Sequence, residues 1–269
     1  MQNQSVWLGP LRGPVRMVML VSVAFAVACC SWLFLSSLLL GSEIGMNQML
    51  RPEGYLSARI TIWAIFAALL SASVYLSDTV GQIEPQPRGF FDILSLICGR
   101  LAMIGVVFVV LIMFYEVILR YAFEKPTPWA NELSLWLAGF IFLLAGLYAM
   151  QQRSHIRIYV IYDLMPRWAK KTADVVSVAL ICAFAFALIW GGFTEAWDKM
   201  LRWETFGTAW DPPLPATMKP AILGIIFLVA LQAVSNLILD WNTEPESHSP
   251  MDDIDQTEIE NIRRTLEGK

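Results

Sequence analysis

A chain of 269 residues that is 57% hydrophobic and only 16% charged is not composed like a soluble domain, in which charged residues make up about a quarter. Its net charge of −4, with no basic stripe interleaved with aromatics, excludes a nucleic-acid surface. Two histidines, and four cysteines without a C-x-x-C pair, argue against a zinc site, a haem held between histidines and a disulfide framework.

Six uncharged apolar runs follow one another along the chain: Met17–Ser42, Ile60–Ser77, Leu101–Tyr115, Leu133–Met150, Val175–Thr194 and Pro220–Leu239. A membrane-spanning helix needs about 20 mainly apolar residues, and lipid satisfies no backbone polar group, so each span must hydrogen-bond internally. The third run is short, but Arg100 and Glu116 can snorkel to the interfaces and extend it from about Ile93 to Leu119. The expected fold is an all-α polytopic membrane helix bundle of about six transmembrane helices.

Arg12 and Arg16 precede the first run as in a secretory leader, yet that run continues far beyond the 7–15 residues of a leader's apolar core. A retained first span is therefore expected, and Ala26-Val27-Ala28-Cys29 is a poor match to a lipoprotein cleavage site. After the second run, Asp78–Gly89 carries Gly81, Pro85, Pro87 and Gly89, the signature of a linker. It divides residues 1–85, an N-terminal two-span hairpin, from residues 86–241, a four-span membrane domain; residues 242–269 form an acidic tail.

Within the four-span domain, Thr127 to Leu133 reads as a helix start. Thr127 suits the N-cap, Pro128 the first helical position, and Glu132 the positive end of the dipole, with Trp136 one turn further on. The next connection, Gln151–Lys171, gathers Arg153, Arg157, Arg167, Lys170 and Lys171 against the single acid Asp163. Positive charge marks cytoplasmic loops, so with an even number of spans both termini are expected on the cytoplasmic side. The opposite face then receives Glu195–Lys219, where Trp197, Trp203 and Trp210 stand among Pro212, Pro213 and Pro215. Trp129, Trp168 and Trp241 flank other runs, as interfacial aromatics do. The outer loop reads either as a set of such anchors or as a rigid aromatic surface for a soluble partner. In the tail, Ile259, Ile262 and Leu266 share one helical face and Glu260 lies four residues before Arg264; a solvated tail and a partner-docking helix both fit.

No Asp, Glu, Lys, Arg or His occurs at mid-depth in the runs, and no paired broken helices appear. Such features mark ion and substrate paths, so a path internal to this chain is not expected. Serines such as Ser71, Ser73 and Ser177 have no histidine base within reach at depth. The chain is read as neither an enzyme nor a cofactor carrier. A membrane adaptor of an inner-membrane complex and a stand-alone small channel or carrier remain alternatives.

Three segments in order, Tyr115-Glu116-Val117-Ile118-Leu119-Arg120-Tyr121, Trp129-Ala130-Asn131-Glu132-Leu133 and His155-Ile156-Arg157-Ile158, resemble one family. It is the small membrane subunit, DctQ type, of tripartite ATP-independent periplasmic (TRAP) transporters. That family pairs an Arg-Tyr ending one helix with a Trp and a Glu-Leu opening the next, then places a basic His-containing turn on the cytoplasmic side. Trp203-Glu204-Thr205, Pro212-Pro213-Leu214-Pro215, Lys219 and Gln232 resemble its mannitol or chloroaromatic branch. The resemblance covers roughly Phe90–Trp241. Tyr159 departs from a frequent Asp, Asn131 from a commonly acidic position, and the first two spans are additional to the usual four-helix form.

The resemblance implies a bacterial inner-membrane protein with two partners, a large permease subunit and a periplasmic solute-binding protein. Together they would take up an organic acid with sodium ions. It implies a scaffold role for this chain. Arg120, Trp129, Glu132 and Trp136 would build the outer corner of the bundle, and Trp203, Glu204 and Trp210 would be structural or docking residues there. Arg153, His155 and Arg157 would orient the inner loop against lipid headgroups.

Overall fold

In the computed structural model, which describes residues 5–41, 44–81, 84–153 and 165–242, each apolar run falls in a helix that begins before it, the first run as far as Leu40. The helices are α1 (Arg12–Leu40), the short α2 (Met46–Leu50), α3 (Leu56–Ser77), α4 (Phe90–Ala122), α5 (Trp129–Gln151), α6 (Arg167–Leu201) and α7 (Leu214–Asp240). All but α2 are long and apolar enough to cross a membrane, and no strand occurs among the described residues. The early starts take in charged residues. At Arg59 and Lys170 long side chains can leave the apolar layer, whereas Asp92 is buried in the first turn of α4 and bonded to Gln232. With 33 residues in α4 and 35 in α6, each reaches about 50 Å at 1.5 Å per residue. That exceeds a hydrocarbon core of about 30 Å.

The spanning helices pack as a row, in the order α1, α3, α4, α5, α7, α6, with α4 also touching α7. Facing surfaces are built from small residues: Ala58, Ala64, Ala68 and Ser73 on α3, Ala102 on α4, Ala130 on α5, Ala185 on α6, and Ala230 and Ala233 on α7 are all buried. Small side chains let helix backbones approach closely where no hydrophobic effect drives association. Ala26, Ala64 and Ala68 form one such seam between α1 and α3, bridged by the Ser22 and Ser71 hydroxyls 2.7 Å apart. Large apolar side chains, among them Trp63, Phe114, Phe142 and Trp190, point outward. The molecule is thus small inside and bulky outside, as lipid solvent allows.

At the end of the row that carries both ends of the described chain, carboxylates tie the segments together. Asp78, just past α3, accepts the Ser5 hydroxyl at 2.9 Å and the amides of Val6, Trp7 and Leu8 at 3.0, 2.9 and 2.8 Å, with Arg12 Nε 3.4 Å away. Burial by itself would raise its carboxyl; the Leu8 and Trp7 amides, Ser5 and Arg12 outweigh burial and hold it below its ordinary 3.8. Glu84 accepts from Arg100 Nη1 and Nη2 at 2.9 and 2.5 Å, from the Gly81 amide at 2.8 Å and from the Tyr148 hydroxyl. Its carboxyl is likewise held low, because Arg100, Tyr148 and Gly81 outweigh its burial. The linker expected to separate hairpin from bundle is therefore fastened to α4 and α5.

Deeper at the same end, Gln232 of α7 donates to Asp92 of α4 at 2.7 Å and to Asn236 at 2.9 Å, and accepts from Ser95 at 2.9 Å. Asn236 donates to the Met150 carbonyl of α5 at 2.8 Å. Every one of these side-chain groups is buried. Satisfied networks of this kind fix one arrangement of the helices that share them.

Candidate functional site

The opposite end of the row holds the connections between α1 and α3, α4 and α5, and α6 and α7. Here the charged and aromatic residues singled out in the sequence assemble in two clusters.

The first joins α4 to the start of α5. Glu116, 3% exposed, accepts from Arg120 Nη2 at 2.6 Å and Nε at 3.2 Å. Its second oxygen accepts the Thr127 amide at 3.0 Å and the Thr127 hydroxyl at 2.5 Å. Thr127 was expected to cap α5, but Pro128 occupies the N-cap and Trp129 opens the helix. The Thr127 amide and hydroxyl both donate to Glu116, Pro128 already has helical φ and ψ of −73° and −24°, and no side chain caps the first amides of α5. Trp129 stacks on Tyr115 with ring centroids 5.9 Å apart. Arg120 accordingly answers Glu116, one turn back on its own helix, rather than Glu132. A shallow hollow beside this pair is lined by Met113, Glu116, Val117, Arg120, Tyr121 and Asn131.

The second cluster joins α5 to the loop 202–213. Glu132 accepts from the Thr208 hydroxyl at 2.6 Å and from the Trp210 and Asp211 amides at 3.3 and 3.2 Å. A carboxylate near the start of α5 thus organises a loop almost 80 residues away. Trp136, one turn on, donates its indole N–H to the Thr217 hydroxyl of α7 at 2.9 Å and meets the Trp210 ring edge-on at 6.5 Å. Trp210 is buried, whereas Trp203 is 56% exposed. Glu204 is bound by Lys199 at 2.6 Å, and Lys219 reaches Glu195. Asp211 is held below its ordinary 3.8 mainly by the Gly207 amide, against some burial, with help from Thr205 and Arg51.

The hairpin reaches the same loop. Trp210 Nε1 donates to the Met46 carbonyl of α2 at 3.3 Å, and Arg51 lies 3.0 Å from Asp211. These partners were not singled out in the sequence. The one local cue is Gly207 four residues before Asp211, whose side chain accepts the glycine amide at 2.7 Å.

Of the residues read as orienting the basic loop, Arg153 lies two residues past α5 and pairs with Asp240 of α7 through Nε at 2.5 Å and Nη2 at 2.9 Å. His155 and Arg157 lie outside the described residues, as do the tail residues Ile259, Ile262 and Leu266.

Both clusters, α5 and α7 fall inside a segment with known relatives. The family model described as tripartite ATP-independent periplasmic transporters, DctQ component, matches residues 109–243. A C4-dicarboxylate TRAP transporter small permease protein from Vibrio cholerae serotype O1 is 26% identical over 105 residues, covering 39% of this chain and 45% of the relative. The chain therefore spans less than half the length of that curated relative. No solved structure matches. The matched segment takes in half of the chain, with the helices that carry Glu116, Arg120, Glu132 and Trp136, and so the chain belongs to the DctQ component family of tripartite ATP-independent periplasmic transporters.

Proposed function

We propose that this chain is the small membrane subunit of a bacterial inner-membrane TRAP transporter. It scaffolds the large permease subunit and helps dock a periplasmic solute-binding protein during sodium-coupled uptake of an organic acid. The observation that carries this reading is the distribution of charge. Among the described residues of the spanning helices, ionisable side chains gather at the two ends, and the middle of the row offers apolar faces. Such a body suits widening and holding another protein in the bilayer, whereas a carrier needs polar groups at mid-depth. In the sequence, Arg12, Arg16, Arg88 and Arg100 join Arg153, Arg157, Arg167, Lys170 and Lys171 of the connection 151–171 on the side of the chain termini, against Arg51, Arg59, Arg120, Lys125, Lys199, Arg202 and Lys219 on the other. This modest excess, concentrated in one loop, favours the terminal side as cytoplasmic. The cluster around Glu132 then faces the periplasm. Within the family, Trp203-Glu204-Thr205 and the prolines after Trp210 support the mannitol or chloroaromatic branch.

In this reading Arg120 and Trp129 stabilise the corner, and Glu132, Trp136 and Trp210 fix the loop from which Trp203 projects. Replacing Arg120 and Glu132 together by alanine lowers solute uptake several-fold in membranes with equal amounts of the chain. The affinity of the isolated solute-binding protein for its solute stays unchanged. Uptake equal to wild type at equal abundance would contradict the assignment.

A further inference from the structure

The hairpin α1–α3 precedes the segment matched to the family, yet its outer turn grips the loop that Glu132 organises. Asp211 is the shared residue. Its amide donates to Glu132, while its carboxylate accepts from Gly207 at 2.7 Å and from Arg51 of the hairpin turn at 3.0 Å. One residue earlier, Trp210 sits 5% exposed between Trp136 of α5 and the Met46 carbonyl of α2. Trp203, Gly207 and Asp211 have φ of 48°, 80° and 60°. At Trp203 that conformation belongs to the C-terminal cap of α6, where the Trp203 and Glu204 amides donate to the Met200 and Lys199 carbonyls. At Asp211 a non-glycine residue persists in the left-handed region only where its surroundings over-determine it. Those surroundings are Gly207 within the loop, Glu132 of α5 and Arg51 of the hairpin, while the Met46 carbonyl holds the neighbouring Trp210. Trp203 and Phe206 remain about half exposed on the segment so fixed.

We propose that the hairpin turn is a clamp, with Arg51 and the Met46 carbonyl as positioning groups that hold loop 202–213 in the form that the soluble solute-binding protein meets. The hairpin then serves docking rather than permease assembly. The proposal rests on the docking role given above and assigns a part of it to a segment beyond the family match.

The test uses the full chain in complex with its large permease subunit, reconstituted in vesicles, with fluorescently labelled solute-binding protein as the probe. Arg51→Asp turns an attraction into a repulsion. It accelerates amide exchange at Gly207, Trp210 and Asp211, and weakens docking, each on the order of fivefold, the scale of an exposed ion pair lost and reversed. The permease still co-purifies in normal amount. Arg51→Lys, which keeps the charge, restores both readouts to within about twofold of wild type. Unchanged exchange in Arg51→Asp overturns the clamp, and faster exchange with unchanged docking overturns its role in docking. If wild-type vesicles bind no solute-binding protein, the underlying docking role fails, while the exchange comparison still decides the clamp.

Discussion

One oxygen, Oδ1 of Asp78, gathers the Ser5 hydroxyl and three consecutive amides, and so fixes the segment ahead of α1 from 70 to 73 positions later in the chain. Hydrogen bonds to a charged group contribute about 1.5–3 kcal/mol each and are not additive. Asp78→Ala is therefore expected to loosen the N-terminal segment by about 2–4 kcal/mol, read as faster amide exchange at Val6, Trp7 and Leu8. The pH dependence follows from the depressed carboxyl. A carboxylate whose folded value lies below its unfolded one contributes fully above the unfolded value, and the contribution disappears as pH falls through the folded value. Anchoring is thus complete at neutral pH and fails only in acid below about 3.8. Exchange at the three amides, corrected for intrinsic rate, that rose already near neutral pH would contradict this. Little of this anchor was legible in the sequence. Asp78 stood in what read as a linker, and nothing local to Ser5 announces a partner so distant.

Among the helices, existence and order were legible, because 18 or more uncharged apolar residues, which five of the six runs have, meet few other fates, and the short third run is extended by Arg100 and Glu116 at its ends. Their ends were not, since Arg59, Lys170 and Asp92 interrupt the apolar runs without interrupting the helices. Nor was the packing, which depends on which small residues face a neighbour. Gly99 and Gly139 show the difference. A Cβ at Gly99 would stand 2.5 Å from Cδ2 and 2.7 Å from Cγ of Tyr148, a ring whose hydroxyl is held by Glu84. At Gly139 the nearest atom is Met218 Cε, also 2.5 Å away but at the end of a flexible side chain. Gly99→Ala is expected to cost about 1–3 kcal/mol, and Gly139→Ala clearly less, because methionine re-packs readily. Thermal unfolding of the two variants in detergent checks the order; equal losses would mean that the α4–α5 contact is softer than Glu84 and Tyr148 make it. The corner was legible in part by the same logic. Glu132 and Trp136 were recognisable as a helix start with an aromatic one turn on, while their partners Thr208, Trp210, Asp211 and Thr217 lie about 75 to 80 residues ahead and become neighbours only when α5 meets α7.

For the whole molecule, six spans in a row make a tile with two broad apolar faces, fastened at one end by Asp78, Glu84 and Gln232 and at the other by Glu132 and Arg51. Composition predicted the class of fold, but it cannot distinguish a row from a closed bundle, because both bury small residues and expose large ones to lipid. The family match covers α5 to α7 with the latter part of α4, and the hairpin extends the tile on the α4 side. A tile of this form is expected to work against a larger protein rather than alone. Native co-purification tests that claim most directly: the tagged full-length chain, extracted gently, with its stoichiometric companions identified by mass spectrometry. A large polytopic permease recovered in a fixed ratio is the predicted result. Recovery of the chain alone, or in company with redox subunits, would contradict the scaffold role.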